Sequence, residues 1–128
     1  MHAQEILKID PNGKKEVVLK LDDDQPSGLG WLPNGHLLFV AMTSRQIRRF
    51  DGQKVYLHSD LSQLASGKLN DMVVNTMGYA YVGNFGFDLH GGEKPKQAEL
   101  IICDPSGEAS LADEDMSFPN GAVITPDN

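Results

Sequence analysis

One short pattern recurs three times along the chain, and such a repeat confines the fold to an array of like units. Alternating residues run into an acidic turn at Ile6-Leu7-Lys8-Ile9-Asp10-Pro11-Asn12-Gly13, at Ile47-Arg48-Arg49-Phe50-Asp51-Gly52 and at Leu100-Ile101-Ile102-Cys103-Asp104-Pro105-Ser106-Gly107. Period-two alternation suits a strand, and Asp, Pro, Asn and Gly suit the turn that ends it. A second pattern lies between these, at Ser27 to Val40, at Asn70 to Gly83 and in the shorter Asn120 to Asn128. Aligning Ser27, Asn70 and Asn120 gives spacings of 43 and 50 residues. With short apolar runs, tight turns and no helical periodicity beyond about ten residues, such a period predicts an all-β chain made of four-stranded propeller blades.

Strands are lettered A to D from the innermost outward. Residues near 5–9 and 16–20 are C and D of a first blade. A second blade has A near 28–32, B near 36–42, C near 46–51 and D near 54–58. The third has A near 71–75, B near 79–84, C near 98–103 and a weakly marked D near 108–112, and 121–125 begins a fourth. The expectation is a β-propeller fragment of about 2.75 blades, in which residues 1–128 form one partial domain incomplete at both ends. Small propellers close with at least four blades, so this number cannot close. Open blade edges predict self-association, with non-specific aggregation favoured over an ordered head-to-tail dimer.

Composition removes several function classes. Eleven Lys and Arg face 18 Asp and Glu, a net charge of -7, which disfavours phosphate backbones and anionic lipid, so neither a nucleic-acid nor a membrane partner is expected. A single cysteine, Cys103, makes no internal disulfide, and no apolar run approaches the roughly 20 residues that cross a bilayer. Met1-His2-Ala3-Gln4-Glu5 lacks a signal-peptide pattern, and a cytoplasmic location is the expectation. The four histidines show no metal-ligand spacing, and neither a nucleophile elbow nor a phosphate loop is present. Cys103 reads as a small core residue, Trp31 and Met72 as packing between blades, and Asp22-Asp23-Asp24 as a solvated loop.

The stretches Pro26 to Val40, Lys68 to Asp88 and Phe118 to Asn128 resemble consecutive blades of the senescence-marker-protein/gluconolactonase (regucalcin-like) family. Asn70-Asp71 and Pro119-Asn120-Gly121, both opening innermost strands one blade apart, carry the resemblance. It implies a six-bladed propeller that holds one divalent cation (Ca, Zn, Mg or Mn) in its channel and hydrolyses lactones or related esters. By the same resemblance Asn70 and Asn120 match the two metal-binding asparagines. The two carboxylate ligands of the family would lie before Met1 and after Asn128. Lys68 stands where many members carry a substrate-binding Arg, keeping the charge without the forked donor.

The residues allow two readings at each of these places. The first residues of an A strand sit at one mouth of a propeller channel, where Asn70 and Asn120 can aim amide oxygens at a common point; equally, each can cap a turn through its own backbone. Amide oxygens are hard, neutral ligands that hold a divalent ion well only beside carboxylates. The segment Asn84 to Gly92 is a second mouth candidate, with Phe85 and Asp88 as substrate contacts of a lid or as parts of an ordinary loop. No catalytic residue is assigned. The two functions carried forward are part of a metal-dependent lactonase acting on a small lactone or ester, inactive alone, and a non-catalytic half-propeller that binds or assembles.

Overall fold

The computed structural model describes residues 5–65, 67–84 and 97–117. Its strands are β1 (Glu5–Ile9), β2 (Lys15–Lys20), β3 (Pro26–Trp31), β4 (Leu37–Ala41), β5 (Gln46–Phe50), β6 (Val55–Asp60), β7 (Leu69–Val74), β8 (Ala80–Asn84), β9 (Gln97–Cys103) and β10 (Ala109–Ser117). Each pairs antiparallel with its neighbour in the chain, giving a two-stranded sheet β1–β2 and two four-stranded sheets, β3–β4–β5–β6 and β7–β8–β9–β10. No helix occurs among the described residues. The all-β expectation and the grouping into successive meanders hold. The inner strands begin two residues earlier than expected, at Pro26 and Leu69, and the weakly marked last strand runs on to Ser117. The strand expected near 121–125 lies outside the described residues.

One device builds four of the five described hairpin turns at one end of the sheets, the β3–β4 turn having Leu32 in the equivalent place. The side-chain oxygen of Asp10 accepts hydrogen bonds from the amides of Asn12 (2.9 Å) and Lys14 (2.8 Å). Asp51, Asn75 and Asp104 do the same for Gln53 and Lys54, Met77 and Tyr79, and Ser106 and Glu108. Each turn closes on a glycine in the left-handed region, such as Gly78 at φ 91° and Gly107 at φ 99°, where a Cβ is strained. Asp10, Asn75 and Asp104 serve the second and fourth residues on and Asp51 the second and third, so like chemistry produces like hairpins and the repeat is visible in the sequence.

β4 shows how the sheets stack. All five of its residues, Leu37 to Ala41, are buried, and alternation divides the first four between two clusters. Leu37 and Phe39 join Ile6 and Leu21 on the side of the first sheet, while Leu38 and Val40 join Ile47, Leu69, Val82 and Ile101 on the side of the third. A strand covered on both faces is apolar throughout, and each such side chain contributes about 1.5–3 kcal/mol by leaving water. Cys103 is buried in the second of these clusters, as a core residue should be.

The inner strands β3 and β7 approach more closely than side chains permit. A Cβ at Gly28 would fall on the backbone nitrogen of Met72 and 2.8 Å from its Cβ, and one at Gly30 would meet Val74 Cγ2 and lie 3.0 Å from Val74 Cβ. The Ser-Gly-Leu-Gly-Trp run is thus a strand with one bare face. Met72 is packed between sheets as expected, only 4% exposed. Trp31 is not: it is 61% exposed, because it projects from the other face of β3, which no described strand covers.

Candidate functional site

The Asx-glycine turns all lie at one end of the sheets, so antiparallel order sends the remaining described connections, residues 21–25, 42–45 and 61–65 with 67–68, to the other. At that end the two inner strands share an irregularity. Pairing of β3 with β4 slips between Pro26 and Leu29, and pairing of β7 with β8 slips between Leu69 and Met72. Residues 27–28 and 70–71 therefore leave the regular ladder, and their polar groups find partners elsewhere. The Ser27 hydroxyl donates to the Asn70 carbonyl oxygen at 2.7 Å, joining one sheet to the next. The Leu69 amide donates to the Met42 carbonyl at 3.2 Å, again across sheets.

Asn70 is itself buried, and Lys68, two residues before it, is exposed just ahead of the strand. Asp71 turns its carboxylate to the Met72 amide at 2.8 Å. Asn84, the last residue of β8, stands opposite Leu69 in the ladder and is fully buried. The structure thus brings Lys68, Asn70 and Asn84 to one sheet end. Asn120, Phe85 and Asp88 lie outside the described residues.

The acidic run at 22–24 differs from the solvated loop expected of it. Asp22 and Asp23 are exposed, but Asp24 is only 3% exposed. Its carboxylate accepts the amides of Gln25 (2.7 Å), Thr43 (2.8 Å) and Ser44 (2.8 Å), together with the Ser44 hydroxyl. Burial pushes the Asp24 carboxyl up, and these hydrogen bonds more than offset it, so its pKa lies below the usual value. Asp23 makes a two-pronged bond to Arg48, with both N–O distances 2.9 Å, and the guanidinium holds its carboxyl below the usual range. Exposed as Asp23 is, that pair contributes only about 0–1 kcal/mol. Nearby Arg45 adopts φ 58° and reaches the Ala65 carbonyl at 3.0 Å, fastening the long 61–68 connection to the β4–β5 turn.

Chemically, this end offers two buried amides, Asn70 and Asn84, and one exposed ammonium, Lys68. No group of three or more His, Cys, Asp or Glu placed to hold a metal occurs among the described residues. Asn70 fits the part of a single hard oxygen ligand, but alone it does not make a divalent-cation site, since neutral oxygens need carboxylates beside them. Sequence reasoning missed Ser27 and Asp24 as parts of this end. Ser27 had a signal, because the repeat aligns it with Asn70; Asp24 had none, because its donors come from a turn some 20 residues away.

The sequence profile of the SMP-30/Gluconolactonase/LRE-like region matches residues 1–128, the whole chain. No curated protein matches it. Among solved structures, one provisionally described as a gluconolactonase superposes with a TM-score of 0.61 over 92% of this chain, at 15% sequence identity. At that identity the likeness speaks for the propeller-type fold alone. This chain spans only 37% of that structure's length. With a profile match along its entire length and sheets that stack as that structure's do, the chain belongs to the SMP-30/gluconolactonase/LRE-like family.

Proposed function

We propose that this chain is part of a six-bladed, metal-dependent lactonase, contributing about 2.75 blades, Asn70 and Asn120 as neutral metal ligands, and Lys68, Phe85 and Asp88 as substrate contacts. The observation that carries the reading is the profile match from end to end, supported by Asn70 standing buried at the end of the inner strands where Ser27 fixes its backbone. The ligand set is a mixed one, with carboxylates from residues beyond this chain beside the two asparagines. A divalent cation held there supplies Lewis acidity toward a lactone carbonyl and a nucleophilic water at neutral pH.

The chain's own part is positional. The slipped register of β7 and the Ser27–Asn70 bond fix the backbone that carries the Asn70 amide, and a ligand held in place ahead of binding loses little freedom on binding. Lys68 brings a positive charge beside that amide, suited to the carboxylate that lactone hydrolysis releases. On this reading the isolated chain is catalytically silent and works in the cytoplasm only as part of a larger ring. Purified alone, it should hydrolyse no gluconolactone above background with any of Ca²⁺, Zn²⁺, Mg²⁺ or Mn²⁺. Turnover by the chain that a chelator abolishes would overturn this reading.

A further inference from the structure

Two bonds from the second sheet hold the backbone that carries the Asn70 side chain. The Leu69 amide donates to the Met42 carbonyl at 3.2 Å, and the Asn70 carbonyl accepts the Ser27 hydroxyl at 2.7 Å. Residues 69 and 70 are thus pinned at the amide of the first and the carbonyl of the second, where β7 slips out of register with β8. The Met42 anchor is itself held. Its carbonyl is one end of the planar peptide unit whose other end is the Thr43 amide, and that amide donates to the buried Asp24 carboxylate at 2.8 Å. The Ser44 amide donates to the same carboxylate at 2.8 Å, and the Met42 amide donates to the Gln25 carbonyl at 3.0 Å. Three successive amides of the 42–45 turn therefore end on Asp24 and Gln25.

We propose that Asp24 is a positioning residue for Asn70, acting through the peptide unit between Met42 and Thr43; the assignment rests on the reading of Asn70 as a ligand at this end. In a trans peptide the N–H and the C=O point opposite ways, so a carboxylate that fixes the Thr43 amide also aims the Met42 carbonyl at Leu69. The negative charge adds to this by polarising the unit, which makes that carbonyl a stronger acceptor. The role calls for a carboxylate. The amides of Gln25, Thr43 and Ser44 and the Ser44 hydroxyl converge on its two oxygens, and only an ionised carboxylate accepts from so many donors while presenting none of its own. Asp24 thereby sets where the 69–70 backbone lies, and with it where the Asn70 amide is carried.

Amide hydrogen exchange of the whole chain, resolved residue by residue by nuclear magnetic resonance, tests the path. Asp24→Asn should speed exchange at Thr43 and Leu69 about tenfold or more beyond any change at Ile101 in the core, and should move the Asn70 side-chain amide resonances. Asp104→Ala removes the acceptor of three bonds in a turn at the other end and should leave that ratio unchanged. Ser44→Ala deletes one donor to Asp24 and should shift the ratio the same way by about twofold or more, which keeps the test open if the asparagine variant does not fold. In a completed, full-length protein Asp24→Asn should lower divalent-metal affinity about threefold or more, and Asp104→Ala should not. Equal acceleration at Leu69 and Ile101 in both Asp24→Asn and Ser44→Ala would overturn the proposal, as would metal affinity lost in Asn70→Ala but kept in Asp24→Asn. Affinity kept in Asn70→Ala as well would overturn the lactonase reading instead, and the exchange ratio alone then decides whether Asp24 positions Asn70.

Discussion

Ser27 and Asn70 occupy the same position in two successive sheets, 43 residues apart, and the hydroxyl of the first donates to the backbone carbonyl of the second at 2.7 Å. A repeat position thus bonds its own counterpart, at the point where both inner strands leave their ladders. The bond sets the spacing between sheets at the end where the candidate ligand sits. Ser27→Ala should lower stability by about 0.5–1.5 kcal/mol, the range for one partly buried hydrogen bond. Urea unfolding monitored by circular dichroism measures it, and an unchanged midpoint would show that the bond is not limiting.

Glycine substitutions should sort by what they strike. Gly28→Ala meets backbone, the Met72 nitrogen, which cannot move without parting the sheets; Gly30→Ala meets a Val74 methyl, which can yield. Both overpack, at roughly 1–3 kcal/mol, with Gly28→Ala the costlier. Gly35→Ala meets nothing within 4 Å and suffers only from its φ of 89°, so it should cost about 1 kcal/mol. Thermal unfolding of the three variants checks the order Gly28, Gly30, Gly35.

Acid sensitivity should come in two separate windows. Burial at the outer edge strand β6, against the turn of Gly107, holds the His58 imidazole below its ordinary pKa of 6.5. Above that value both folded and unfolded chains carry it neutral; as pH falls below it the unfolded chain takes the proton first, and stability declines until the folded pKa is passed. The decline cannot exceed about 1.4 kcal/mol per pH unit for one proton. Asp24, whose folded pKa is lowered, contributes stability that is present above 3.8 and lost as pH falls through its folded value. Denaturant midpoints measured between about pH 7.5 and 5 should fall for the wild-type chain and flatten in His58→Gln. A slope that survives the substitution would assign it to another group.

Asp24→Asn keeps the shape of the side chain but replaces one accepting oxygen by a donor facing the Ser44 or Thr43 amide. The expected loss is about 1–3 kcal/mol, that of a buried unsatisfied amide. Asp22→Asn, at an exposed position, should change stability by less than about 0.5 kcal/mol. Equal effects of the two would contradict the buried anchor.

What the sequence made legible was whatever depends on a few adjacent residues. Asp10, Asp51, Asn75 and Asp104 build their turns within five positions, so the strands between them could be placed almost to the residue. Gly28 and Gly30 fell within the expected innermost strand near 28–32 but received no role, because the strand they accommodate is more than 40 residues away. Asp24 looked solvated for the same reason: its partners are the amides of a distant turn. Trp31 alternated correctly to a sheet face, but alternation does not say whether another sheet lies against that face. Asn70 was singled out by the resemblance to the family, the repeat alone leaving it as readily a turn cap, and its bond to Ser27 needed the two sheets side by side.

The central claim is that Asn70 is a metal ligand of a lactonase to which this chain contributes only part. Its most direct test compares a completed, full-length protein with its Asn70→Ala and Asn120→Ala variants, measuring divalent-metal affinity by calorimetry and gluconolactone hydrolysis at limiting metal. Both variants should lose metal affinity at least tenfold, with turnover falling in step and partly restored by excess metal, while circular dichroism stays unchanged. An Asn70→Ala protein that binds metal and hydrolyses lactone like its parent at low metal concentration would contradict the account.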